Sequence, residues 1–258
     1  MARYSPIAPI QLLEEMYDRN ILGNYLLLLA HDVLVNAERY ENLIIKVREQ
    51  DEFLEDDDDK SFIIMDNSVV ELGKALGAED VIEAACVVEA SCIMTPDAMG
   101  SYEGTVVLLE DQAEELQNSG FPLMRVPQGN SYEQVAECIN WIHDYLPVGN
   151  GEVEYWGIPR WIANRLDSRV PVASYINMTI PNARIHLLGM SEKYVDDRVC
   201  AGMKGVMGID SANPVVMGMN GVDMLINPWM HIERRDYWDQ TELTPEAILN
   251  IENMHNVL

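Results

Sequence analysis

The chain has 258 residues, 48% of them hydrophobic, and a formal net charge of −26 at pH 7. That length is ordinary for a single α/β barrel of about 250 residues, so one domain spanning 1–258 is expected. The charge opposes broad nucleic-acid affinity, no apolar run nears the roughly 20 residues of a membrane span, and the first six residues lack a secretory h-region, so a soluble cytoplasmic protein is expected.

Leu12, Leu13, Met16 and Tyr17 recur at helical spacing, which predicts a short helix ahead of the first strand. Seven short apolar runs follow. The first three are 25–30 before His31-Asp32, 61–65 before Asp66-Asn67, and 91–95 before Pro96-Asp97. The next are 123–126 before Pro127-Gln128-Gly129 and 153–156 before Gly157-Ile158-Pro159. The last are 184–188 before Gly189-Met190 and 205–209 before Asp210-Ser211.

Helical patterns occupy 38–50, 79–89, 104–118, 131–145 and 192–201, and Ser131 with Gln134 has the form of a capping box. The stretch 161–166 is short and 176–180 is ambiguous. Asp56 to Asp59 reads as a solvated acidic loop. After about 211 the chain reads as irregular, with no eighth strand placed, and Thr244-Pro245 opens a final helix.

Runs apolar on both faces, separated by helices, predict a parallel sheet. The fold expected is α/β, a (β/α)8 barrel imperfect at the eighth unit, with its chemistry at the C-terminal strand ends. His31, Asp66, Asn67, Asp97, Gln128, Gly157, His186, Gly189 and Asp210 then converge on one mouth. Several carboxylates on one rim call for a cation, for donors, or for acid, base and nucleophilic roles with separated pKa values. The histidines lie singly, without the spacing of a metal site, so no metal is expected. Recognition of a flat polar heterocycle fits better. Asp97 can accept from an N–H edge, Gln128 can donate to a carbonyl, Gly157 can let a ring approach, and a remaining aspartate can act as nucleophile or base.

Cys86, Cys92, Cys138 and Cys200 form no CxxC pair and read as reduced, mostly buried thiols. Residues 160–204 hold seven basic side chains against four acidic ones, so one face is expected to accept a phosphate backbone, with Arg160, Arg165 and Arg169 as contacts.

The motifs also carry a family resemblance. Met65-Asp-Asn-Ser-Val-Val-Glu71 resembles the Asp-Ser-Gly-Gly-Phe-Gln loop of tRNA-guanine transglycosylases, and Val126-Pro-Gln-Gly129 resembles their Val-Gln-Gly-Gly loop. Tyr155-Trp-Gly-Ile158 stands where they carry Gly-Gly-Leu, Ile185 to Glu192 resembles their Leu-Met-Gly-Val-Gly-x-Pro-Glu, and Gly208-Ile-Asp210 their Gly-Val-Asp. The order holds over roughly residues 25–215. The opening Leu28-Leu-Ala-His-Asp-Val33 and the small size are closer to short phage-type, DpdA-like relatives that insert 7-deazaguanines into DNA.

The resemblance implies exchange of guanine in a polynucleotide for a 7-deazaguanine through an aspartate glycosyl-enzyme, with no cofactor. Asp66 corresponds to the general acid/base, and Asp97, Gln128 and Gly157 to base readers. Gly129, Gly189 and Met190 lie in the same motifs and join the base-binding set. Asp210 is the candidate nucleophile, with His31, Asn67, His186 and Asn213 as further site residues. The partners implied are the free base and DNA rather than tRNA, in a host cytoplasm if the protein is viral. A homo-oligomer or a basic partner protein is left open.

There are two departures. The family nucleophile lies three residues beyond the aspartate of Gly-Val-Asp, which falls on Asn213, so either Asp210 serves through a shifted loop or the site is altered. The family's zinc module is absent from the sequence. Structural alternatives stay open for single residues: a helix cap for Asp66, turns for Asp97 and Asp210, and satisfied buried rings for His31 and His186. A non-catalytic nucleobase-binding barrel and a nucleoside or base hydrolase remain the rival functions.

Overall fold

The computed structural model describes residues 2–51, 53–54, 60–149, 151–192, 194–227, 232 and 236–257. The strands are β1 (Arg3–Pro6), β2 (Tyr25–Leu29), β3 (Phe62–Asp66), β4 (Cys92–Met94), β5 (Leu123–Arg125), β6 (Glu154–Pro159), β7 (Ala183–Leu188) and β8 (Val206–Ser211). All ladders are parallel, in the order β1-β8-β7-β6-β5-β4-β3-β2. The helices are α1 (Ile10–Asp18), α2 (Ala30–Val35), α3 (Ala37–Asp51), α4 (Val69–Leu72), α5 (Ala78–Val87) and α6 (Tyr102–Asn118). They continue with α7 (Tyr132–Tyr145), α8 (Arg160–Leu166), α9 (Val170–Thr179), α10 (Tyr194–Ala201), α11 (Asn213–Met219) and α12 (Pro245–Val257). This is a nearly closed (β/α)8 barrel.

The seven apolar runs are β2 to β8. The eighth strand is not in the region after Asp210; it is β1, ahead of the first helix, paired from Arg3↔Gly208 to Pro6↔Ser211. Four residues with a single large apolar side chain, Tyr4, give too little pattern to read as a strand. The barrel's imperfection therefore sits at the seam between β1 and β2, the two ends of the bonded order. There the Leu27 N–H donates to Ser5 Oγ at 2.7 Å, a side chain standing in where a backbone ladder would close the sheet.

Part of the region expected to be irregular, Asn213–Met219, forms α11, packed against α12, while 220–227 keep to turns and coil. A Cβ on Gly218 would stand 2.2 Å from Ala247 Cα, so only glycine allows these helices to approach. Thr244 caps α12, its Oγ1 accepting from Ala247 N–H at 3.2 Å. The ambiguous 176–180 segment largely belongs to α9, which carries Pro171 in its first turn. Ser131 caps α7 at Gln134 N–H, but Gln134 Oε1 accepts from Asn130 N–H rather than completing the box. The Asp56–Asp59 loop and Lys193 lie outside the described residues.

Alternation along the strands sets what faces inward. On β2, Leu27 and Leu29 line the barrel cavity while Leu26 and Leu28, equally buried, alternate with them toward the helices. At the base of the interior Tyr25 stacks on Phe62 at 5.9 Å and Phe62 meets Tyr155 at 5.3 Å, an aromatic plug under the cavity. Cys92, Cys138 and Cys200 are buried free thiols, and Cys86 is exposed. No helix among the described residues is long and apolar enough to cross a membrane.

Candidate functional site

At the C-terminal mouth lies a cavity of about 850 Å³, counted with the open space at its entrance. Its walls are mainly apolar, with Leu27, Leu29, Met94, Val126, Pro159 and Leu188 prominent. Among the described residues, four carboxylates, Asp66, Glu71, Asp97 and Asp210, and one cation, Arg160, line them.

The β4–β5 flank is a closed hydrogen-bond network. Asp97 Oδ1 accepts from Asn67 Nδ2 at 2.9 Å and Oδ2 from Gln128 Nε2 at 2.5 Å. Asn67 also donates to Thr95 O at 2.8 Å, and its Oδ1 accepts from Val69 N–H at 3.0 Å. Gln128 Oε1 accepts from Gly100 N–H at 2.8 Å and from Trp161 Nε1–H at 2.6 Å. Burial pushes the Asp97 carboxyl up to about 6, against the two amide bonds that lower it. Asn67 is thus a support for Asp97 rather than a wall of the cavity.

Asp66 ends β3 and lines the cavity. Its Oδ1 accepts from Ser68 N–H at 2.5 Å, a turn bond to the N-cap residue of α4 rather than the helix cap considered from sequence, and it coexists with a place at the site. Burial, and next the charge of Glu71, hold the Asp66 carboxyl well above the usual carboxylate range despite that bond. A carboxylic acid in such a place carries a proton at higher pH than a solvated one does.

On the β7–β8 flank Asp210 Oδ1 accepts from Gly189 N–H at 2.9 Å and lies within hydrogen-bond distance of His186 Nε2, also at 2.9 Å. Both bonds fall on one oxygen. Oδ2 has no partner among the described residues, and the residue lines the cavity. The Asx-type turn envisaged for Asp210 falls to its neighbour, since Ser211 Oγ accepts from Asn213 N–H at 3.0 Å. Asn213, considered from sequence as a further site residue, begins α11 and is not among the cavity residues. Gly189 has a left-handed backbone, φ +69°, and a Cβ there would stand 2.9 Å from Arg160 Cδ.

Several sequence candidates lie elsewhere. Gly157 does not line the cavity; its missing Cβ leaves space taken by Leu188 and Val126. Gly129 lets its loop settle on the start of α7, where a Cβ would come 2.7 Å from Gln134 Cβ. Met190 is buried outside the cavity, and His31 packs edge-on to Trp238 with its centroid 6.4 Å away. His186 is fully buried beneath Asp210.

The basic segment does not form one face. Arg160 lines the cavity and Arg165 is exposed on α8, whereas Arg184 and Lys204 lie toward the opposite, N-terminal ends of β7 and β8. Arg169 is no phosphate contact. It is fully buried, paired with Asp197 and donating to Ile158 O at 3.3 Å and Gly189 O at 3.0 Å. Sequence reasoning also missed wall residues, namely Glu71, Met99 and, above all, Trp161. Their signal was position alone, one turn beyond strand ends already singled out.

Fold and site together define a parallel (β/α)8 barrel with an acidic, apolar-walled cavity at its C-terminal mouth. Among the described residues no group of three or more His, Cys, Asp or Glu side chains is placed to hold a metal ion. No protein-family model matches the chain, and no curated protein matches it.

Proposed function

We propose that the barrel is a base-exchange glycosyltransferase that replaces guanine in a polynucleotide, DNA by preference, with a 7-deazaguanine. The observation that carries this reading is the pairing of two unlike carboxyl groups in one apolar cavity. Asp66 is held in its acid form to higher pH than a solvated carboxyl, and Asp210, a cavity residue, is held by one oxygen while the other has no partner among the described residues. Glycosidic-bond chemistry through an oxocarbenium-like transition state uses such a pair.

Asp210 Oδ2 attacks C1′ of the guanosine unit as the C1′–N bond breaks. The bonding pair leaves with the guanine, which takes the proton of Asp66. A 7-deazaguanine then attacks C1′, surrenders its ring N–H proton to the Asp66 carboxylate, and frees Asp210. These bond changes balance without a redox partner or cofactor. The Asp97–Gln128 pair, held from behind by Asn67 and Trp161, is the reader of the base edge. Arg160, the cationic wall residue among those described, meets a phosphate of the acceptor strand. A duplex hides C1′ from such a cavity, so the acceptor is an extruded nucleotide or a single strand.

The test is denaturing electrophoresis of protein incubated with guanine-containing DNA or tRNA, with labelled guanine exchange measured in parallel. A covalent protein–nucleic acid band, lost in Asp210→Ala and reduced by about 10²–10⁴-fold in Asp66→Ala, is expected. Release of labelled base without incorporation marks a hydrolase. Retention of free base with neither adduct nor turnover marks a binding protein and ends the transferase reading.

A further inference from the structure

A polar chain runs through the barrel interior beneath the cavity. Tyr25 Oη lies 2.7 Å from His186 Nδ1, and His186 Nε2 lies 2.9 Å from Asp210 Oδ1. Tyr25 is 1% exposed and His186 0%. Polar groups placed at this depth cost free energy unless each is paired, and an apolar layer would fill the same volume without that demand.

The sheet makes room for the chain. In register His186 stands between Gly157 on β6 and Gly208 on β8, so neither neighbouring strand sets a side chain beside the imidazole. A Cβ on Gly208 would fall 2.2 Å from the Tyr25 ring, so the tyrosine reaches His186 only because residue 208 is glycine. Arg3 holds the other side of that ring, its guanidinium carbon 4.6 Å from the centroid. The phenol has one hydrogen to donate, and burial holds it in the protonated form.

We propose that His186 is a positioning residue for Asp210. Tyr25 donates to Nδ1, which leaves the ring proton on Nε2, and that N–H, together with Gly189 N–H, pins Oδ1 so that Oδ2 faces the cavity. This rests on the reading of Asp210 as nucleophile. Its geometric part, a single imidazole tautomer aimed at Asp210, is testable without substrate.

The experiment combines imidazole nitrogen NMR on the intact protein with adduct formation on guanine-containing DNA. His186→Gln identifies the His186 signals among the five histidines by their loss. Wild type is expected to carry its proton on Nε2 with Nδ1 bare, and Tyr25→Phe to release that preference. His186→Leu is expected to slow adduct formation about tenfold to a hundredfold, as loss of an orienting partner does, while His186→Gln, which keeps an N–H near the Nε2 position, recovers most of the rate. A proton on Nδ1, an even tautomer mixture in wild type, or a Leu variant as fast as wild type overturns the proposal. If wild type forms no adduct with any acceptor, the transferase reading falls, and the tautomer still decides the role of His186. If the Leu variant does not fold, Tyr25→Phe and His186→Gln carry the test.

Discussion

The two flanks of the cavity treat a carboxylate in opposite ways. On β4–β5, Asp97 has both oxygens bonded to side-chain amides, which are themselves tied to Thr95, Gly100 and Trp161. On β7–β8, Asp210 has one oxygen bonded to Gly189 N–H and His186 Nε2 and the other without a partner among the described residues. The first arrangement presents a rigid edge suited to recognition, because its groups cannot turn without breaking several bonds at once. The second leaves one atom accessible while its direction is fixed, which suits a group that must form a bond.

The sharpest way to separate the flanks is to neutralise each carboxylate. Asp210→Asn is expected to cut covalent adduct formation by about 10⁴-fold, the scale of losing a nucleophile. Asp97→Asn should leave the adduct chemistry in place and weaken free-guanine binding roughly 10- to 100-fold, the cost of a charge-assisted hydrogen bond. Titration calorimetry with guanine beside the adduct assay distinguishes them, and equal loss of adduct in both variants would erase the division.

Next in size is the support behind the β7–β8 flank. Arg169 bonds the Gly189 carbonyl and pairs with Asp197, itself bonded by Ser191 N–H at 2.7 Å and Ser191 Oγ at 2.8 Å. Arg169→Ala strands a buried charge and is expected to lower stability by about 3–5 kcal/mol in urea unfolding. A loss under 1 kcal/mol would mean that Asp197 is satisfied without it.

The β4–β5 flank has a pH signature. The Asp97 carboxyl is raised to about 6 in the fold, so the folded state binds its proton more tightly than the unfolded chain does. The contribution to stability is full below about pH 4, declines as pH rises toward 6, and is flat above, a change on the order of 2–3 kcal/mol. Unfolding midpoints measured from pH 4 to 7 should decline more in wild type than in Asp97→Asn; parallel curves would show that Asp97 has no raised affinity for its proton.

The smallest effect concerns Arg160. Its replacement by alanine should weaken DNA binding and reduce the salt slope by about one phosphate contact without altering base choice. An unchanged slope would leave the cavity mouth with no phosphate contact from this residue.

Much of this organisation was readable along the chain. β2 to β8 are apolar runs because strands covered on both faces need no alternation of polar residues, and Asp66, Asp97, Gln128, Gly189 and Asp210 were legible as rim residues because each lies at or just beyond the end of such a run. β1 was not, since its place is fixed by pairing with β8 rather than by its own pattern. Nor was the fate of Arg169, which carries the same charge as Arg160 on the far side of α8 and ends in the core because Asp197 and two carbonyls await it there.

The sequence by itself determined the barrel and the strand ends that would form its mouth, because periodicity and turn chemistry are local. Only the tertiary structure decided what each rim residue does. Whether a carboxylate is bonded through both oxygens like Asp97 or through one like Asp210, and whether Gly157 and Gly208 serve a ligand or make room for the Leu188 and Val126 side chains and the Tyr25 ring, depends on side chains that meet from strands far apart in the chain.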